Sequence, residues 1–77
     1  MRKEEIAKAL TPDKWQSVPQ LTARALGFTD NEYKLLESKT RKAFEGQTRR
    51  IVNIMFKKGQ AIRHQNFLGG YVWRANE

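Results

Sequence analysis

The sequence predicts a mainly α fold closed by a C-terminal β-hairpin, with three to four helices. Three observations carry that prediction. Apolar residues recur at helical spacing through most of the first 58 positions, as at Val18, Leu21 and Ala25 or Ile51, Val52 and Met55. Helix punctuation is dense, with Ser17 before Pro19, Gly27, Thr29 three residues before Glu32, and Gly59. After Gly59 the period changes, and two β-prone runs flank Gly69-Gly70.

The first element is a short helix over residues 3–10. Ile6, Ala7 and Leu10 fall at helical spacing, and Glu4 and Glu5 occupy the first turn, where the dipole favours acids. Pro12 forces the residue before it out of the helical region, so Thr11-Pro12-Asp13 ends the helix or caps a short turn through Lys14 and Trp15. Trp15 reads as a core or lid aromatic. Ser17 is the N-cap of the second helix, with Pro19 in the first turn where its missing N–H is harmless. Val18, Leu21, Ala25 and Leu26 form its apolar face, and Gly27 is its C-cap.

Thr29 with Glu32 is a capping box for a third helix, from Asp30 to Phe44. Phe28 and Tyr33 fit a hydrophobic staple across its start. Tyr33, Leu36, Thr40, Ala43 and Phe44 are expected on one face. Gly46 is expected to break or bend this helix, and a fourth then runs from Gln47 to Lys58. At about 100° per residue, Ile51, Val52, Ile54, Met55 and Phe56 cover half its circumference, while Arg49, Arg50, Asn53 and Lys57 gather on the other side. Gly59 terminates it. Residues 61–68 and 71–74 then form the hairpin around Gly69-Gly70. Tyr71 and Trp73 share one face and Val72 and Arg74 the other. Since an isolated two-stranded hairpin is marginal, Tyr71 and Trp73 are expected to pack on the helices.

Seventy-seven residues allow one domain, residues 1–77, and leave no room for a second core. Hydrophobic content of 39%, including Trp15, Phe44, Phe56 and Trp73, is enough to fold the chain, so disorder is not expected. There is no cysteine, which removes disulfides and thiolate metal sites. No apolar run reaches membrane-spanning length, and Met-Arg-Lys-Glu-Glu is followed by nothing like a secretion signal. The expectation is a complete chain working in the cytoplasm or on the nucleoid, without a membrane.

Charge is distributed unevenly. The net charge is +7. Residues 1–38 hold six basic and six acidic side chains. Residues 39–63 hold Lys39, Arg41, Lys42, Arg49, Arg50, Lys57, Lys58 and Arg63 against Glu45 alone. In residues 64–77, Arg74 cancels Glu77. A positive field confined to a third of the chain attracts a polyanion, and nucleic acid is the commonest. The alternative is an ordinary solvated, lysine-rich surface.

The order helix, helix, turn, helix and glycine-turned hairpin resembles a winged helix-turn-helix domain. The stretch Thr48-Arg49-Arg50-Ile51-Val52-Asn53-Ile54-Met55-Phe56-Lys57-Lys58-Gly59-Gln60-Ala61-Ile62-Arg63 resembles that family's passage from recognition helix into wing. Ser17-Val18-Pro19-Gln20-Leu21-Thr22-Ala23-Arg24-Ala25-Leu26-Gly27 resembles the helix before it. In the family the recognition helix follows that Leu-Gly turn directly, whereas here Phe28 to Gly46 intervenes. Either residues 30–44 are the recognition helix and 47–58 an addition, or 30–44 are an insertion and 47–58 enter the groove. The second arrangement sets the basic face beside the wing and is preferred.

The resemblance implies duplex DNA as partner, with the recognition helix in the major groove and the wing on backbone or minor groove. By position, Arg49, Arg50, Asn53 and Lys57 form the groove-facing set, with Lys58 at its end. Arginine suits guanine edges or bidentate phosphate contact, and asparagine suits adenine. Arg63, His64, Gln65 and Asn66 near the hairpin tip would track phosphates. Lys39, Arg41 and Lys42 would add to the general field. For each of these the alternative is a solvated polar face. The implied role is transcription regulation or DNA architecture, by a homodimer or with a partner protein. An RNA-binding module and a protein-interaction adaptor or inhibitor are the competing classes, because this scaffold does not fix function.

Catalysis, cofactors and metals are not expected. His64 is the only histidine and has no neighbouring carboxylate, the acids are scattered singly, and no phosphate-cradling Gly-x-x-x-x-Gly-Lys loop occurs.

Overall fold

Helix boundaries in this chain are set by hydrogen bonds that adjacent residues supply. The computed structural model describes residues 2–76. Helix α1 spans Lys3–Ala9, and the Glu5 carboxylate accepts from the Arg2 N–H at 2.8 Å. Strand β1, Gln16–Ser17, leads directly into α2, Val18–Leu26. Ser17 Oγ accepts from Gln20 N–H and the Gln20 side chain returns to Ser17 N–H at 2.8 Å, so two orphan donors are satisfied reciprocally. Thr29 and Glu32 do the same for α3, Asp30–Lys34. At Gly27, φ is 80°, and the N–H groups of Gly27 and Phe28 donate to Arg24 and Ala23 carbonyls. Gly59 repeats the pattern at φ 77°, with Gly59 and Gln60 N–H donating to Phe56 and Met55. Both helix ends are Schellman motifs, which need a left-handed residue where glycine stands.

The third and fourth helices differ from expectation. No single helix spans residues 30–44, and there is no break at Gly46. The chain leaves α3 after Lys34 through a tight turn, in which Leu35 and Leu36 N–H bond three residues back, and α4 then runs unbroken from Ser38 to Lys57. The physical reason is a tertiary bond. Tyr33 is buried, and its hydroxyl donates to Glu45 Oε2 at 2.6 Å. In one straight helix these residues would stand about 18 Å apart along the axis, so the chain must fold back between them. Glycine inside α4 costs about 1 kcal/mol relative to alanine. Burial of Thr48, Val52 and Met55 on one side of the helix outweighs that cost. Thr40 and Ala43 accordingly lie exposed and do not share a face with Tyr33.

The buried side of α4 is also narrower than its composition suggests. Ile54 and Phe56 are exposed at the margins, and only Val52 and Met55 join the core fully. They pack with Ile6, Leu10, Leu21 and Trp73 in one apolar cluster. Thr22 of α2 and Thr48 of α4 meet inside, their hydroxyls 2.7 Å apart, while Thr22 also donates to the Val18 carbonyl at 2.7 Å. This satisfied polar pair fixes how the two helices cross.

Strands β2, Ala61–Gln65, and β3, Tyr71–Ala75, form the expected hairpin, with Arg63 opposite Trp73. The sheet gains β1 as an unexpected third strand and is ordered β1-β3-β2. The short turn of helix allowed through Lys14 and Trp15 is absent; this stretch is a turn running into β1. The β2 strand stops at Gln65, three residues early. Asn66 and Gly70 close a three-residue tip, Phe67-Leu68-Gly69, so Gly69-Gly70 is not itself the two-residue turn. Asparagine first and glycine fourth, with Gly69 at φ 92°, suit a type I turn followed by a bulge. No helix among the described residues is long and apolar enough to cross a membrane. In general shape the arrangement is winged-helix-like: helical, with a C-terminal hairpin beside the last helix.

Candidate nucleic-acid interface

Continuity of α4 changes what its charges do. With no break at Gly46, the phase of the helix carries from Lys39 to Lys57. Lys39, Lys42, Arg49, Arg50, Asn53 and Lys57 then fall within roughly 100° of arc, along about 27 Å of axis. The lysines and arginines of this stripe are exposed and Asn53 is half-buried. Gly46 sits at mid-stripe, and a Cβ there would meet nothing within 4 Å. Arg41 lies outside the stripe, half-buried on the flank beside α3, where its carbonyl oxygen lies 3.4 Å from Tyr33 Oη. Glu45, the single acid of this region, is occupied by the same hydroxyl. Burial, reinforced by the Glu45 contact, pushes the Tyr33 phenol well above its ordinary value. It therefore stays a donor at neutral pH.

The stripe borders a cleft of about 500 Å³ between the start of α2, the middle of α4 and the hairpin. Arg49 and Asn53 line it from the helix, Arg63, Asn66 and Tyr71 from the hairpin. Arg63 is the bridge between the two sides. Its guanidinium carbon stands 4.2 Å from the Phe56 ring centre, 4.6 Å from Tyr71 and 5.8 Å from Trp73. Its Nη1 donates to Asn53 Oδ1 at 3.3 Å. Asn53 Nδ2 in turn donates to the Arg49 carbonyl at 2.9 Å. The asparagine amide thus bonds both along the helix and to the hairpin, and Arg63 is held against an aromatic wall. A planar cation positioned this way keeps its remaining N–H donors for an anion's oxygens.

Strand alternation divides the remaining candidates. Arg63 and Gln65 share the cleft side with Trp73 and Tyr71, and His64 points to the opposite face of the sheet. There its ring centre lies 5.9 Å from that of Trp15, which also carries Arg74 at 5.0 Å. His64 is therefore not brought to the cleft, and Trp15, 43% exposed, is a lid on the outer face and not a core residue. Gln65 Nε2 donates to the Gly69 carbonyl at 3.2 Å and braces the tip. Lys58 is exposed where α4 ends. Trp73 is buried as expected, but Tyr71 is 41% exposed at the cleft edge.

The residues that sequence reading missed are the aromatic wall and Gly46. By periodicity Phe56 falls in the core-facing set, and nothing local links it to Arg63 across a strand. From Gly46 to Asn76 there is no acidic residue, so the described part of the cleft and hairpin carries only positive charge. Among the described residues, no three His, Cys, Asp or Glu side chains are grouped as metal ligands. The chain matches no known family model, no curated protein and no solved structure. The winged-helix likeness is one of general shape.

Proposed function

We propose that this chain is a small DNA-binding protein, regulatory or architectural, and not an enzyme. The α4 stripe would enter the major groove of duplex DNA, whose width admits one helix. Lys39, Lys42, Arg50 and Lys57 would neutralise phosphates. Arg49, which lines the cleft, and Arg63, on its aromatic wall, would set the register of the duplex against the hairpin. Asn53 would position Arg63. One helix covers few base pairs, so action as a homodimer or beside a partner protein, on the nucleoid or elsewhere in the cytoplasm, is part of this reading.

The observation that carries the proposal is the convergence of an unbroken basic stripe and the Arg63 bridge on one acid-free cleft. A diffuse lysine-rich surface would show neither alignment nor a stacked arginine. The half-exposed Tyr71 favours one second reading, an RNA or single-strand site in which a base stacks on its ring. Binding to duplex DNA, duplex RNA and single strands across a salt series separates the two. The proposal expects tightest binding to duplex DNA, with affinity falling steeply as salt rises. Preference for single strands selects the second reading, and absence of binding at low salt removes both.

A further inference from the structure

The tip of the hairpin carries two large apolar side chains that the fold does not use. Phe67 is 96% exposed and Leu68 is 81% exposed. A tip needed only for turning takes polar or small residues. This one is rigidly built around its apolar pair. Asn66 N–H donates to the Gly70 carbonyl at 2.8 Å and Gly69 N–H to the Asn66 carbonyl at 3.0 Å. Asn66 Oδ1 also accepts from Leu68 N–H at 3.0 Å and Gly70 N–H at 3.1 Å. The backbone is thus braced from inside while Phe67 and Leu68 stand out from it.

The surroundings decide what would cover them. Asn66 and Gly70, which flank the pair, line the same cleft as Arg49 and Arg63. The nearest acids in sequence are Glu45 and Glu77. A second copy meeting this tip with its own would bring like charges together. The chemistry that offers apolar contact inside a shell of negative charge, at the end of a helix-wide groove, is a DNA base step between its phosphates. Apolar wedges of this kind open a step and kink the duplex.

We propose that Phe67 and Leu68 form a wedge that inserts between adjacent base pairs from the minor groove and bends the DNA bound along α4. The proposal rests on the duplex-DNA reading above and adds a deformation to it. Flexible pyrimidine–purine steps such as TA would be preferred, because they unstack most cheaply.

The test uses the full chain and a duplex of about 30 base pairs, carrying TA steps with 2-aminopurine at one adenine and a dye at each end. Wild-type protein is expected to raise 2-aminopurine fluorescence and to bend the duplex by roughly 20–90°. The F67S/L68S double variant is expected to keep its thermal midpoint and salt slope, since both side chains are exposed. It should lose the fluorescence rise and the bend, and bind about 10-fold more weakly. F67W alone should retain both signals. Wild-type binding to a straight, stacked duplex overturns the wedge and leaves the DNA-binding reading standing. Equal bending by F67S/L68S overturns it as well. Loss in that variant of a wild-type dimer, or of binding to phosphatidylserine vesicles, with DNA bending unchanged, assigns the tip to another partner. Failure of the wild type to bind any duplex overturns the wedge together with the reading beneath it.

Discussion

The two halves of this chain spend their charges differently. Before Ser38, acids match bases in number, and several acids work locally: Glu5 bonds the Arg2 N–H and Glu32 closes the box with Thr29. Backbone and side-chain bonds from Thr29 hold the Glu32 carboxyl below its ordinary value, which marks the charged form as the capping form. After Glu45 there is no acid until Glu77, and of the bases there Arg74 ties the fold together, donating to the Pro12 carbonyl at 2.9 Å beside Trp15. The others line up along α4 and its end or, in Arg63, pack on aromatic rings. In the first half, charges that hold the fold together bond backbone N–H groups close by in sequence. Charges left unpaired on one aligned face are free to meet something else, and that asymmetry is the basis of the proposed function.

Trp73 packs against residues of both halves and gives the largest expected effect. It is 2% exposed within the core cluster, and its ring also backs Arg63. Trp73→Ala should lower unfolding free energy by about 3–5 kcal/mol, read by urea denaturation. A loss below about 1 kcal/mol would mean that the hairpin is not docked on the helices.

Arg63→Lys separates charge from planarity. It keeps the field but gives up the planar guanidinium packed against Phe56 and Tyr71. Duplex affinity is expected to fall by about 1 kcal/mol with the salt slope unchanged. Undiminished affinity would reduce Arg63 to one more surface charge.

Gly46→Ala sets fold against function most sharply. The site has room for a methyl, so stability should rise by about 0.5–1 kcal/mol. If the stripe lies against DNA, the same methyl stands between helix and duplex, and affinity should drop while the thermal midpoint climbs. A rise in both would detach the middle of α4 from the interface.

The smallest effect concerns pH. The Tyr33 phenol has a folded pKa above its ordinary value of 10.0. The folded state therefore holds its proton more tightly than the unfolded state. The stability this contributes is complete below pH 10 and is lost as pH rises above it. Tyr33→Phe should remove that alkaline loss, seen as a flatter thermal midpoint above pH 10. An unchanged slope would place the titration elsewhere.

Local chemistry made much of the fold legible. Ser17, Thr29 with Glu32, Gly27 and Gly59 each mark a boundary through bonds spanning five residues or fewer, and the structure keeps all four, adding Gln20 as the partner of Ser17. What failed was long-range. The turn at Leu35 to Glu37 exists because Tyr33 reaches Glu45, twelve positions on, and no local signal announces that bond. Gly46 looked like a break because its propensity is poor, yet burial of its helix overrode it. The two-residue strand β1 exists only by pairing Gln16 with Trp73. At the candidate site, the basic residues were visible as composition, and their alignment waited on α4 being one helix. Placing His64 with Arg63 ignored strand alternation, which sends neighbours to opposite faces.

The most direct test holds total charge constant and moves only its place. Two triple variants are compared, R49Q/R50Q/R63Q on the cleft and stripe and K3Q/K8Q/K14Q in the balanced half. Each lowers net charge equally, and duplex-DNA affinity is measured for both across a salt series. The account predicts that the first loses affinity steeply and that its log–log salt slope becomes shallower by about 3, while the second tracks the wild type. Equal losses in the two variants would contradict it, because charge would then act by amount and not by position.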